Sequence, residues 1–217
     1  MTVRDLDDAR PRRGRPPAQE AGQAEERILE TATTLFLADG FGRTTLDAVS
    51  SKSGTGKSAV YRRYPDKEAL FAAVVHRSIQ AMFAPPKVAP ASDRMQDRLR
   101  SAGIALVENL LEPRCIALMR ITAAEAENFP GLAEMAYRTS FDGSVRYVTA
   151  ALARDAPSEK LRRAAERFIE IAVQPLSFQA IFGHSPAVLR DRAEADIEDA
   201  ILLLGTKGLL ADPDRPG

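Results

Sequence analysis

The sequence predicts an all-α protein: an N-terminal helix-turn-helix head of three helices, followed by a larger C-terminal helical domain. Two patterns carry this. Apolar residues recur at helical spacing between turn signals, and no segment sustains the period-two alternation of a half-buried strand. Prolines and glycines interrupt the pattern at intervals that suit helices of moderate length. At 217 residues and 45% hydrophobic content, the chain is long enough for a small head on a larger body and too apolar to be disordered.

In chain order, residues 1–21 lack hydrophobic periodicity and carry Arg10, Pro11, Arg12, Arg13, Gly14, Arg15, Pro16 and Pro17, which predicts a basic arm. Arg-Gly-Arg-Pro suits the minor groove of A·T-rich DNA, where arginines meet an enhanced negative potential. A basic tail that adds only nonspecific affinity is the equal alternative. From about 24 to 39, Ile28, Leu29, Ala32, Leu35 and Phe36 form one helical stripe that Gly40 ends.

The stretch 44–67 organises the rest. Thr45 suits an N-cap, and Leu46 and Val49 share one face of a short helix. Gly54 suits the left-handed residue that ends it, and helical spacing resumes from Lys57 to Tyr64. So short a connection holds the two helices at a steep angle and leaves the second, with Lys57, Ser58, Arg62 and Arg63, free to project. Between residues 40 and 67 six basic residues (Arg43, Lys52, Lys57, Arg62, Arg63 and Lys67) face two acids (Asp47 and Asp66), although the whole chain is neutral. Positive charge concentrated on one small projecting unit is the footprint of a duplex-DNA reader.

The residues Ile28, Leu29, Ala32, Leu35, Phe36, Gly40, Phe41, Thr44, Thr45, Tyr61, Tyr64, Lys67, Leu70 and Phe71 follow a pattern that resembles the TetR family of bacterial transcriptional regulators over roughly residues 25–75. The resemblance implies DNA contacts from Thr44, Thr45, Lys57, Ser58, Ala59, Tyr61, Arg62, Arg63, Tyr64 and Lys67, with Arg12, Arg13 and Arg15 added by the arm. There are departures. The family usually has Ala-Gly-Val-Ser through the turn, where this chain has Ser53, Gly54, Thr55 and Gly56, so the projecting helix loses a serine cap and one apolar anchor. Ala59 replaces the common threonine and retains only apolar contact with a thymine methyl.

Gly54 to Ser58 also resembles the end of a phosphate-binding P-loop, which makes a nucleotide-binding protein the enzyme-class alternative. Against it, Ser51 stands where the loop needs its first glycine, and a helix is expected where the loop needs a strand. A small-molecule-binding helical dimer without operator binding is the other alternative.

A linking helix over 66–83, capped by Asp66, carries Leu70, Phe71, Val74, Val75, Ile79 and Phe83, and ends the head domain of residues 22–84. Lys67 in its first turn opposes the helix dipole, so a phosphate contact explains it better than helix stability. The proline-rich 85–91 is a connector. The body, residues 92–210, is expected as helices over 92–111, 114–128, 131–154, 158–182 and 188–210, with a kink or break at Pro175. Its stretch 114–137 resembles the AefR-like C-terminal subgroup of the same family.

Candidate lining for a ligand pocket is Met82, Leu106, Leu110, Met119, Phe129, Met135, Phe141, Phe178 and Phe182, with Arg120, Glu125 and Gln179 as polar anchors. Plain packing is the competing explanation for each apolar member. The last helix carries more apolar residues than one stripe needs, and pairing it and the 158–182 helix with their two-fold mates predicts a homodimer through Phe168, Ile197, Ile201, Leu202 and Leu204. Two distant histidines and the single Cys115 offer no His/Cys metal set, and Cys115 reads as a core residue. A charged N-terminus and the lack of a membrane-length apolar run predict a cytoplasmic protein. Together these expectations describe a homodimeric repressor of palindromic duplex DNA, with no resident cofactor and no catalysis, released by a small apolar or amphipathic effector.

Overall fold

The computed structural model describes residues 18–83, 92–154 and 156–210, and among these every regular element is a helix. Arg12, Arg13, Arg15 and the proline-rich connector lie outside the described residues.

Helix α1 (Ala18–Arg43) begins inside the stretch expected as arm. Its opening residues, rich in Ala, Gln and Glu, are strong helix formers that need no apolar stripe, so periodicity is blind to them. Gly40 interrupts it with φ 78° and ψ 171°, a conformation that favours glycine. Helices α2 (Leu46–Ser53), α3 (Lys57–Arg63) and α4 (Lys67–Met82) follow. Thr45 caps α2 by accepting from the Ala48 amide, and Asp66 caps α4 by accepting from Ala69.

The head core is an aromatic cluster: the Phe71 ring meets Phe36 at 4.8 Å and Phe41 at 5.4 Å, both edge-on. Ile28, Val49, Val60 and Leu70 close around it with no exposed surface. This core is not sealed by the head alone. Leu118, Phe129, Leu132 and Ala136, all from the body, pack into it, and Phe129 lies edge-on to Phe41 at 5.0 Å. Phe129 is therefore a head–body contact, not the pocket residue expected.

The body contains α5 (Met95–Leu110), α6 (Pro113–Ala124), α7 (Pro130–Leu152), α8 (Glu159–Phe168), α9 (Gln174–Ile181) and α10 (Pro186–Thr206). Pro113, Pro130 and Pro186 open their helices instead of separating them, because a first-turn residue has no intrahelical use for an N–H. The break expected at Pro175 takes the form of a π-helical turn, Ile169–Val173, between α8 and α9. Phe168, fully buried, lies over Gly103 of α5, where an added Cβ would stand 2.6 Å from the ring. In the same way the Phe83 ring occupies the space that a side chain at Gly143 of α7 would need.

The expected dimer surface needs correction. Phe168, Ile197, Ile201 and Leu204 are 0 to 6% exposed and belong to the protomer's own core, because spacing of four and three puts the last three on one face of α10. Leu202 alone of the five points outward, with Leu203 beside it. Leu106 is likewise core.

Among the described residues, three arginines of the body close the C-termini of other helices. Arg98, 7% exposed, donates from Nε to the Ala151 carbonyl and from Nη2 to Leu152 at the end of α7, and from Nη1 to the carbonyls of Ser92 and Asp93. Arg120 donates to the Ala180 and Ile181 carbonyls of α9, which removes it from the expected set of pocket anchors. Arg190 donates to Leu111 after α5. Each offers planar donors to carbonyls that the helix leaves unpaired. Arg98→Met should therefore lower stability by about 2–4 kcal/mol in denaturant unfolding, and Arg98→Lys should not restore it, since a single ammonium cannot reach the same set of carbonyls.

Candidate nucleic-acid interface and effector cavity

The α2–α3 turn is built by hydroxyls. Gly54 takes φ 66°, and Ser50 Oγ donates to the Thr55 carbonyl at 2.7 Å. Ser53 Oγ accepts from the Thr55 amide at 3.3 Å. Ser50, Ser53 and Thr55 are all buried, so these bonds replace the apolar anchor the turn lacks. Helix α3 has Gly56 at its N-cap and no side-chain cap, as the substitution of its serine predicts. The P-loop alternative meets a direct obstacle: the residues before Gly54 form helix α2, not a strand.

Helix α3 buries Val60 and turns Lys57, Ser58, Tyr61 and Arg62 to solvent, with Ala59 and Arg63 half-buried. Asp47 of α2 organises part of this surface, accepting from Lys57 Nζ at 2.8 Å and from the Tyr61 hydroxyl at 3.2 Å. The Lys57 hydrogen bond holds the Asp47 carboxyl below its ordinary range, and the same bond raises the Lys57 ammonium. Tyr61 is also raised, first by desolvation and then by Asp47.

Other expected contacts are withdrawn from the surface. Thr44 is buried, and its hydroxyl donates to the Gly40 carbonyl at 2.9 Å, closing the kink of α1. Tyr64 is buried, and its phenol, pushed up to about 12 by desolvation first and then by Glu25, donates to that carboxylate at 3.4 Å. The Thr45 side chain is exposed, but its hydroxyl is engaged as the α2 cap. Lys67 donates to the Gly42 carbonyl at 3.1 Å, with its ammonium 4.4 Å from the centre of the Phe41 ring. That gives it a partner inside the protein.

Behind the head, a cavity in two lobes follows the seam between α4, α6, α7 and the α8–α9 segment. One lobe, about 550 Å³, is lined by Val75, Ile79, Met82, Cys115, Leu118 and Met119 with Arg77, Asn109, Glu112 and Arg114 among its polar members. The other, about 620 Å³, includes Leu110, Phe141, Val173, Gln174 and Phe178. Met119, Tyr137, Ser140 and Ile181 line both. Of the expected lining, Met82, Leu110, Met119, Phe141 and Phe178 are present. Met135, Glu125, Gln179 and Phe182 are not: Glu125 pairs with Asn128 in the turn after α6, and Phe182 is 71% exposed, 4.7 Å from the Phe178 ring. Cys115 is pushed up to about 11, chiefly by burial, which suits a lining residue and not a reactive thiol.

Sequence reasoning missed the charged wall of this cavity. Arg77 of α4 pairs with Glu26 at 2.8 Å and Glu30 at 2.7 Å of α1, and Arg114 of α6 donates two 3.1 Å hydrogen bonds to the same Glu30. Glu30 is accordingly lowered, by the Arg114 hydrogen bond first and the Arg77 bond second. Helical periodicity records apolar faces and cannot find a tie between residues 84 positions apart.

Residues 28–74 match the description of bacterial regulatory proteins of the tetR family, and residues 97–204 match the AefR-like transcriptional repressor C-terminal domain. The chain belongs to the TetR family. Among solved structures, a TetR-family regulator from Mesorhizobium loti aligns with a TM-score of 0.69 at 20% identity, over 84% of this chain and 97% of that one. The flavonoid-responsive regulator FrrA aligns at 0.61 and 23% identity, with the same coverage of each chain. A TetR regulator from Rhodococcus aligns at 0.56 and 22%, over 92% of this chain and all of that one. At these identities the likeness is one of fold. No curated protein matches the chain. Among the described residues no helix is long and apolar enough to cross a membrane, and no His/Cys/Asp/Glu group is placed to hold a metal ion.

For this TetR head the hydroxyl network is the testable part. Ser50→Ala leaves the buried Thr55 carbonyl without its 2.7 Å donor. It should cost about 1–2 kcal/mol in chemical unfolding.

Proposed function

We propose that this TetR-family regulator binds a palindromic operator in duplex DNA as a homodimer in the cytoplasm, and that it is a repressor released by a small-molecule effector. The observation that carries the reading is the α3 surface, where Lys57, Ser58, Tyr61 and Arg62 project from a helix whose opposite side is fixed by buried Val60. A short basic helix of this kind fits a major groove, with Lys57 and Arg62 suited to guanine edges or phosphates and Ala59 to a thymine methyl. Asp47 keeps Lys57 and Tyr61 pre-oriented, and a phosphate arriving at the surface competes for both. Arg12, Arg13 and Arg15 would add minor-groove or backbone contacts from the arm.

In this reading the chain divides into the arm, a head over 22–84 and an effector and dimerisation body over 92–210. The effector enters the two-lobed cavity, which α4 walls on one side through Val75, Ile79 and Met82. An effector that favours a shifted α4 alters the spacing of the two heads, provided it prefers that state by a few kcal/mol. Dimerisation through the α8–α9 segment and α10 is supported by apolar side chains left in solvent there: Ile171, Phe178 and Phe182 on the first, Leu202 and Leu203 on the second.

Two measurements test this. Lys57→Ala should weaken operator binding roughly tenfold: with relaxed preference at one base pair if it reads a base, or with a shallower salt slope if it meets a phosphate. Wild-type affinity and sequence preference in that variant would remove α3 from the interface. Phe182→Glu with Leu202→Glu, both on exposed positions, should give monomers by light scattering with reduced operator affinity. A persistent dimer would place the interface elsewhere.

A further inference from the structure

The effector's chemistry is written on the wall of the α4–α6 lobe. Most of that lobe is apolar, and its volume of about 550 Å³ falls within the range of small-ligand pockets. Arg77 and Arg114 are among its lining residues, and their guanidinium groups meet on Glu30 of α1. Nη1 of Arg77 is buried and has no hydrogen-bond partner, while its Nη2 is engaged by Glu26 and Glu30. A buried guanidinium N–H without an acceptor is costly, and a bound oxygen acceptor removes that cost.

From these contacts we infer that the lobe binds an amphipathic monocarboxylic acid, whose carboxylate accepts from Arg77 Nη1 once a small turn of that side chain brings this occluded nitrogen to the cavity, and competes with Glu30 for Arg114, while its hydrocarbon part lies among Val75, Ile79, Met82 and Leu118. The carboxylate suits the planar donors of arginine, and the apolar lining suits a hydrocarbon. Three acids bound the site: Glu26 and Glu30 on the arginines, and Glu112 in the lining. Two arginines against three acids leave that margin net negative, which opposes a phosphate or a dicarboxylate more strongly than a singly charged carboxylate.

The competition reaches the head, because Glu30 belongs to α1. Each increment of Arg114 drawn toward the ligand is withdrawn from the α1–α6 tie, so by linkage ligand affinity and head docking oppose each other. This consequence rests on the effector-controlled regulator reading above. The carboxylate site itself rests on the cavity alone.

The test uses the full chain in titration calorimetry with three probes of one chain length: decanoate, methyl decanoate and decylamine. Decanoate should bind at least about tenfold more tightly than the ester, with the amine weakest. Arg77→Met should cut decanoate affinity about tenfold and leave the ester unchanged, so retained ester binding certifies a folded cavity. Glu30→Gln, which removes the internal competitor, should tighten decanoate binding several-fold. Equal affinity for acid and ester, no binding of any probe, or decanoate binding that Arg77→Met leaves intact would each overturn the carboxylate site. Unchanged or weaker decanoate binding in Glu30→Gln would overturn the competition, even if Arg77→Met failed to fold. Operator binding by the ligand-free protein is measured in parallel. Its absence with carboxylate binding intact would refute the regulator reading and leave the site standing.

Discussion

Helix α4 has to satisfy two cores at once, and most of the architecture answers that constraint. Leu70, Phe71 and Val74 complete the aromatic cluster of the head, while Met82 and Phe83 at the other end pack against the body. The body accommodates this by omitting a side chain, since Phe83 lies where a residue larger than Gly143 would put its Cβ. A helix anchored at both ends transmits displacement as a lever does. Packed interiors resist gradual deformation, so such a lever shifts between discrete arrangements instead of bending.

The body is finished by cations at helix ends. Arg98, Arg120 and Arg190 each lie on a different helix from the terminus they close, so each cap is also a crosslink between elements distant in sequence. These bonds solve a local backbone problem with a long-range contact. Arg120 shows how sequence reasoning goes astray here: an arginine within an apolar helical stretch invites a ligand role, yet the protein already had unpaired carbonyls to offer it.

Much of the head was legible in the sequence because its information is local. Thr45, Gly54 and Asp66 act at the backbone positions their chemistry favours, and the stripe from Ile28 to Phe36 is core. The site was less legible. Thr44 and Tyr64 belong to the same motif as Tyr61, but one residue's rotation about a helix or kink decides between solvent and core, and a motif does not record that rotation. The body was hardest. Its elements were countable from prolines, whereas sorting Ile197, Ile201 and Leu204 from Leu202 requires knowing which side of α10 meets α5, and the Arg77–Glu30–Arg114 tie joins three helices that no single window contains.

The head core, finally, borrows. Leu118 and Ala136 of the body belong to its buried cluster, and Phe129 packs edge-on against Phe41. A unit of that size has little apolar surface to spare, since below roughly 70–80 residues a single core seldom contributes more than about 3–5 kcal/mol. The helix-turn-helix head is therefore not a portable cassette. Transplanting it onto another regulator would also require the α6–α7 surface that completes it, so on the operator-binding reading proposed above new preferences are reached more readily by changing the outward residues of α3 than by exchanging whole heads.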